Sequence, residues 1–352
     1  MKRLHPVTLL VVAALAVPAC SSDTATGTTT APTTVAATTT AAPSTTSTTS
    51  TVPTPTRPAT IDELLTLGRP IVLAHTAGED QYPASTMYGF AESVAAGVDM
   101  LDLNVQLSKD GELVVHHDDT VDRSTNGTGA VADLTLAELQ ALDDAYWFTV
   151  DCGVCTDQPE SAYLYRGIRT GDVPAPDGYT ADDFAIPTLR DVVERFPDIP
   201  LNIEIKGDGD PAKRAADELA KELDELGRAD ASVVASFSDE IVSYFHGIAP
   251  DIEVSPGLEV LTAYVLSGTP VPDGMRILQL PPFYSGITVI TPELVAKATA
   301  AGYPIWVWPN DRALETYDSY LGYLEMGIVG LNINFPAEGV RAVVDFLAAG
   351  GS

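Results

Sequence analysis

The sequence is poor in cations, in cysteine and in apolar runs long enough to cross a bilayer. Only 19 Lys and Arg stand against 49 Asp and Glu in 352 residues, a formal net charge of −30. That balance repels a nucleic-acid duplex or an anionic membrane surface, so no nucleic-acid partner is expected. It repels a small anionic substrate as well, so any phosphate site must carry a cation of its own. Of the three cysteines, Cys152 and Cys155 form one Cys-Gly-Val-Cys pair with no second pair to complete a four-ligand zinc site. The apolar run Val7–Val17 is too short for a membrane span.

What is present at the N-terminus reads as an export signal. Residues 1–20 place Lys2 and Arg3 before the apolar run and small residues before Cys20. Val17-Pro18-Ala19-Cys20, followed by two serines, resembles a bacterial lipobox. The resemblance implies a lipidated Cys20 and an anchor on the outer face of the bacterial cell membrane, with plain secretion as the alternative. Residues 21–58 are almost wholly Thr, Ala, Ser and Pro, which bury too little apolar surface to offset the entropy of ordering. They read as a spacer, either a stalk or a mere tail. In an exported chain, Cys152 and Cys155 are expected to form a small loop disulfide.

The remaining residues, 59–349, suffice for one large domain. Short β-branched runs alternate with amphipathic stretches, the pattern of parallel strands joined by crossover helices. Eight strands are expected, at 71–75, 100–105, 201–205, 232–237, 252–257, 277–280, 304–308 and 329–333. Helices are expected at 86–96, 189–195, 211–226, 239–248, 292–301 and 314–326. Eight strands in a chain of this length favour a (β/α)₈ TIM barrel over an open doubly wound sheet. The interval 111–187 is too long for a crossover and is read as an insertion after the second strand. It holds the Cys pair and the aromatics Tyr146, Trp147, Phe148, Tyr163 and Tyr165, which make either the insertion's own core or a lip over a substrate.

Active sites of such barrels lie at the C-terminal ends of the strands. Those ends carry His75, Asp102, Asn104, Glu204, Lys206, Gln279, Trp308, Asn310, Asn332 and Asn334. So many polar groups on one rim are costly to bury without a ligand.

Here a family resemblance becomes specific. Asp102-Leu-Asn104-Val-Gln-Leu-Ser-Lys109-Asp110-Gly111, then Val114-Val115-His116-His117-Asp118 and Arg123-Ser-Thr-Asn126-Gly127, resemble the stretch that marks glycerophosphodiester phosphodiesterases. Leu201-Asn202-Ile203-Glu204-Ile205-Lys206 is similar to their third strand. Trp306-Val-Trp308-Pro-Asn310, Gly330-Leu331 and Phe335-Pro336 are similar to their last two. The resemblance implies a phosphoric diester hydrolase in which His75 and His117 exchange protons with the reacting oxygens; His117 is preferred to His116 because it adjoins Asp118. It implies a divalent cation, Mg²⁺ or Ca²⁺, held by Asp102, Asn104 and Glu204, a phosphate contact at Lys206 and an aromatic wall at Trp308. Gln279 and Thr76 complete the expected substrate-binding set.

The departures from the family pattern fall in the site. Thr76 replaces a phosphate-binding arginine, Ala84 a glutamate, Asp102 shortens a glutamate, Asn104 neutralises a ligand carboxylate and Asn334 replaces an aspartate. A cation held by two carboxylates and an amide is expected to bind weakly. The leading expectation is an exported enzyme that splits a glycerophosphodiester or a related lipid-derived diester. The alternatives are a phosphodiester-binding lipoprotein without turnover and a phospholipase D-like lipid enzyme.

Overall fold

The computed structural model describes residues 58–150 and 152–351. The expected signal, Cys20 and nearly all of the spacer lie outside the described residues. Numbering only the barrel elements, the strands are β1 (Ile71–Ala74), β2 (Met100–Leu107), β3 (Leu201–Ile205), β4 (Ser232–Ala235), β5 (Glu253–Val254), β6 (Leu278–Leu280), β7 (Ile305–Val307) and β8 (Gly330–Ile333). Each is followed by one main helix: α1 (Met87–Ala96), α2 (Leu189–Arg195), α3 (Gly209–Glu225), α4 (Asp239–Ile248), α5 (Leu258–Ser267), α6 (Pro292–Ala300), α7 (Tyr317–Met326) and α8 (Pro336–Ala348). The strands are parallel in the order β5-β4-β3-β2-β1-β8-β7-β6, which is that of a (β/α)₈ barrel. Among the described residues no ladder joins β5 to β6. A side-chain bond crosses there instead, from Ser255 Oγ to the Ile277 carbonyl at 3.2 Å.

Local chemistry explains most helix starts. Thr86, Thr188, Ser238, Thr291 and Thr316 each accept a backbone N–H from the first turn that follows, satisfying a donor that the helix itself leaves free. The start of α5 is different. Its N-cap, Gly257, offers no side chain, and Asp239 of α4 accepts instead from Glu259 N at 2.7 Å and Val260 N at 3.3 Å. A Cβ on Gly257 would fall 2.7 Å from the Asp239 carboxyl carbon, so this capping from a neighbouring helix requires glycine.

The odd and even residues of the strands separate two environments. Leu101, Leu103 and Val105 of β2 join the main core under the helices, whereas Ile71, Leu73, Met100, Val233, Ile277 and Trp306 fill the barrel interior. Ile61 and Leu64, from a one-turn helix ahead of β1, pack into that interior cluster. A Cβ at Gly330 would overlap the Trp306 indole, so β8 passes the indole only as glycine.

The insertion is real and has its own packing. Leu113–Val115 pairs antiparallel with β2 and extends its sheet by a strand. Beyond it, Val114, Val121, Val131, Leu139 and Ile186 form one small cluster, and Tyr88, Ala145, Ile168 and Phe184 another. Tyr146, Trp147 and Tyr163 surround the Arg166 guanidinium, with centroids 4.2, 4.5 and 3.7 Å from its carbon. The aromatics are thus the insertion's own core and not a lip. Cys152 and Cys155 are joined by a disulfide.

Two helices are missing from the sequence expectation, α5 and α8, and α7 begins at Tyr317 rather than at 314. His75, expected to end a strand, instead opens a tight turn in which Thr76 and Ala77 have φ of 43° and 71°. Left-handed backbone on two consecutive residues with side chains is strained, a feature that concentrates at functional sites.

Candidate active site

Several strand ends open onto one cavity of about 490 Å³, whose lining includes His75, His117, Asp102, Glu204, Gln279 and Trp308. His117 reaches it because of two clamps on its backbone. The β2 hairpin delivers His116, whose N–H donates to the Asn104 carbonyl at 3.0 Å. Gln106 then donates its amide to the His116 carbonyl at 3.0 Å and to the Asp118 carbonyl at 2.7 Å, on either side of His117. His116 itself turns away, buried, with Nε2 3.3 Å from the Thr120 carbonyl. Burial lowers its pKa to about 4 against the pull of Thr120 and Asp118, so at neutral pH it is an uncharged structural group.

Both cavity histidines are held by one ring nitrogen. His117 Nδ1 lies 2.7 Å from Asp118 Oδ1, and Arg123 holds that carboxylate in turn. Burial alone would raise the Asp118 pKa, but the bonds from His117 and Arg123 outweigh it and hold the carboxyl well below its usual range. The carboxylate therefore only accepts, Nδ1 carries the proton, and Nε2 of a neutral His117 is left with a lone pair. His75 Nδ1 lies 2.7 Å from Asn334 Oδ1. The Asn334 amide nitrogen donates to Glu79 at 3.2 Å and Asp80 at 3.0 Å, which leaves its oxygen to accept from His75. Burial would lower the His75 pKa. The carboxylates of Glu79 and Asp102 and the bond to Asn334 overcome that effect and raise it. One imidazole thus offers Nε2 as an acceptor, with Lys206 Nζ 3.5 Å away, and the other favours its protonated form.

The expected metal ligands are arranged less favourably. Register sets Asn104 beside Glu204 and Asp102 beside Asn202. Asp102 Oδ1 accepts from the Asn202 amide at 2.5 Å and its Oδ2 from Thr76 N at 3.3 Å. Asn202 and Gln279 also exchange amide bonds at 3.0 and 2.8 Å, so Gln279 lines the cavity with its amide already engaged. Glu204 Oε1 sits 3.1 Å from Lys206 Nζ, while Asn104 is buried and off the cavity lining. Among the described residues no group of three or more His, Cys, Asp or Glu is placed to hold a metal ion. One of the three is an amide, and Asp102 and Glu204 already have protein partners, so the donor set as it stands is a weak one for a dication.

One substrate-binding expectation is corrected and a second residue is placed differently. Thr76 is fully buried and off the lining; it contributes a backbone N–H to Asp102 and not a contact to substrate. Lys206 is also absent from the lining, and its ammonium lies between Glu204 and His117 Nε2, 3.5 Å from the latter. The guanidiniums that do line the cavity belong to Arg123 and to Arg312, the latter paired with Asp80. Arg123 falls within a sequence motif, whereas nothing local marks Arg312, whose partner lies 232 residues away. Trp308 is where it was expected, with its ring 5.9 Å from that of Phe237 in an edge-on contact.

Comparison with known proteins identifies the family. The sequence profile of the glycerophosphoryl diester phosphodiesterase family matches residues 75–338. A glycerophosphodiester phosphodiesterase of Caldanaerobacter subterraneus subsp. tengcongensis is 30% identical over 246 residues, covering 69% of this chain and 87% of the relative. Lysophospholipase D GDPD1 of Rattus norvegicus is 26% identical, covering 69% of each chain. In fold, the chain resembles an Oleispira antarctica phosphodiesterase solved in complex with the product sn-glycerol-3-phosphate, with TM-score 0.59 and 20% identity, covering 80% of this chain and 99% of that one. With a family match over three quarters of its length, the chain belongs to the glycerophosphoryl diester phosphodiesterase family, a family of phosphoric diester hydrolases.

Proposed function

We propose that the chain hydrolyses a glycerophosphodiester by proton exchange between His117 and His75. The observation that carries this reading is that both imidazoles line one cavity with Nδ1 bound to a fixed oxygen, Asp118 for one and Asn334 for the other. His117 Nε2, as the neutral base, takes a proton from the attacking water as its oxygen bonds to phosphorus. The ester bond to the leaving alcohol breaks, and His75, in its protonated form, returns a proton to the departing oxygen. The cations a diester would meet in a chain of net charge −30 are Arg123 and Arg312, each paired with an aspartate, and Lys206, whose Nζ lies 3.5 Å from His117 Nε2. No step is assigned to a metal ion.

The export-like segment and the Cys152–Cys155 disulfide support activity outside the cytoplasm, with Cys20 as the anchor. A panel of glycerophosphodiesters, each assayed with Mg²⁺, Ca²⁺ or chelator, tests the reading. Release of alcohol by the native protein, lost in His75→Ala and His117→Ala, is expected. Tight binding of every diester without cleavage would overturn it in favour of a binding protein.

A further inference from the structure

The cavity continues past the histidines into an apolar arm. Leu258, Leu261, Thr262, Val265 and Leu266 of α5 all line it, at the i, i+3, i+4, i+7, i+8 spacing of a single helical face. In a helix of ten residues only Tyr264 is fully buried; Leu261 and Val265 pack partly against the main core, and the face they share with Leu258 and Leu266 is open to the cavity. Another wall comes from a small hairpin in the β6–α6 connection, Phe283–Tyr284 paired with Ile287–Thr288. It turns through Ser285 and Gly286, both with positive φ, the geometry that suits a two-residue hairpin turn. A lone two-stranded hairpin is marginal in water. This one is tied to the rim by Asn310, whose amide donates to the Phe283 carbonyl at 2.7 Å.

The exposure of these walls points to the missing occupant. Phe237, Leu266, Tyr284 and Ile287 are 50%, 62%, 36% and 44% exposed, and all four line the same cavity. Large apolar side chains gathered on a concave surface beside a reaction centre mark a site for an apolar ligand group. The polar end, with Arg123 and the two histidines, marks where the charged group sits.

We propose that this arm takes the hydrocarbon chain of a single-chain lipid phosphodiester, with its phosphate between His75 and His117 and its chain against Leu266, Tyr284 and Ile287. This rests on reading the paired histidines as a phosphodiester centre, and it assigns the chain-length specificity to α5 and the hairpin.

Calorimetric titration of the full chain with a homologous series of alkylphosphocholines, below micelle-forming concentration, tests it without requiring turnover. Affinity should rise about four-fold for each added methylene until the arm is full. Leu266→Asp and Ile287→Asp, both at exposed positions, should cut that increment to less than about two-fold, with thermal melts confirming that each variant is folded. A flat series in the native protein overturns the proposal, even if soluble glycerophosphodiesters are cleaved. Equal affinity for an alkyl maltoside of the same chain length also overturns it, because the phosphate would then add nothing. A steep series that persists in His117→Ala supports the arm, and it does so even if no diester is cleaved by the native protein, which would sink the hydrolytic reading alone.

Discussion

His75 and Asn334 meet Nδ1 to Oδ1 at 2.7 Å across 259 residues of chain, joining the start of the barrel to its last strand. The contact fixes which nitrogen of His75 faces the cavity. Asn334→Ala frees the ring, and kcat should fall roughly ten-fold with little change in KM, the loss expected when a positioned proton donor is left unoriented. Asn334→Asp puts a further carboxylate against an imidazole whose pKa is already raised. If His75 is the acid, activity fails above its pKa, so the alkaline limb of the kcat/KM profile should move upward in that variant. A limb that stays in place would remove His75 from the role of acid.

The adjacent histidines of the second-strand loop separate function from packing. His117→Ala should lower turnover by roughly 10²-fold or more. His116→Ala should leave turnover within a few-fold and cost about 2 kcal/mol of stability, because it empties a buried position and strips the Thr120 carbonyl of its partner. Kinetics and thermal melts of the two variants check this. A larger kinetic loss from His116→Ala would show that the loop presents the other ring.

Glu315 supplies the pH dependence. It is buried beneath the site, accepting from the Tyr320 hydroxyl and from Asn334 N. Burial pushes its pKa from its ordinary 4.5 up to about 7, against those bonds. Between those values the folded protein holds a proton that the unfolded chain releases. Its contribution to stability is therefore complete below the unfolded pKa and is lost as pH rises through about 7, on the order of 3 kcal/mol in all. Glu315→Gln should flatten urea-unfolding stability between pH 5 and pH 7, within the range the shift spans. An unchanged slope would place the titration elsewhere.

The altered metal set makes a prediction of its own. Native protein should bind Mg²⁺ or Ca²⁺ weakly, and Asn104→Asp should raise the affinity at least roughly ten-fold, since a carboxylate holds a hard dication better than an amide. Adding Glu204→Gln to that variant should reverse the gain. Calorimetric affinities that do not move across the three proteins would show that these strands hold no cation.

The barrel was legible because strand and helix periods alternate so plainly from Ile71 onward, and the histidines because they sit in local motifs. α5 was not. Its cap comes from Asp239 rather than from a neighbour in sequence, and both its faces are apolar, so neither a start signal nor a polar alternation marks it. Gln106 was hidden for a related reason. Nothing in a strand residue announces that its amide will grip the carbonyls of His116 and Asp118. Thr76 misled in the opposite direction, since position alone suggested substrate contact where the fold buries the side chain. Long-range partners, whether a cap, a clamp or the Asp80–Arg312 pair, are what a linear reading lacks.

The unlaced join between β5 and β6 divides labour within the barrel. The imidazoles and their supports hang from β1, β2 and β8, on well-laddered sheet, while α5 and the hairpin spring from the two strands that flank the join. Because no ladder there has to keep its register, segments can be lengthened, shortened or exchanged on that side with little consequence for the proton-transfer groups opposite. A chain built this way can acquire a new preference in what it cleaves by trading one pair of connections, leaving untouched the part that does the cleaving.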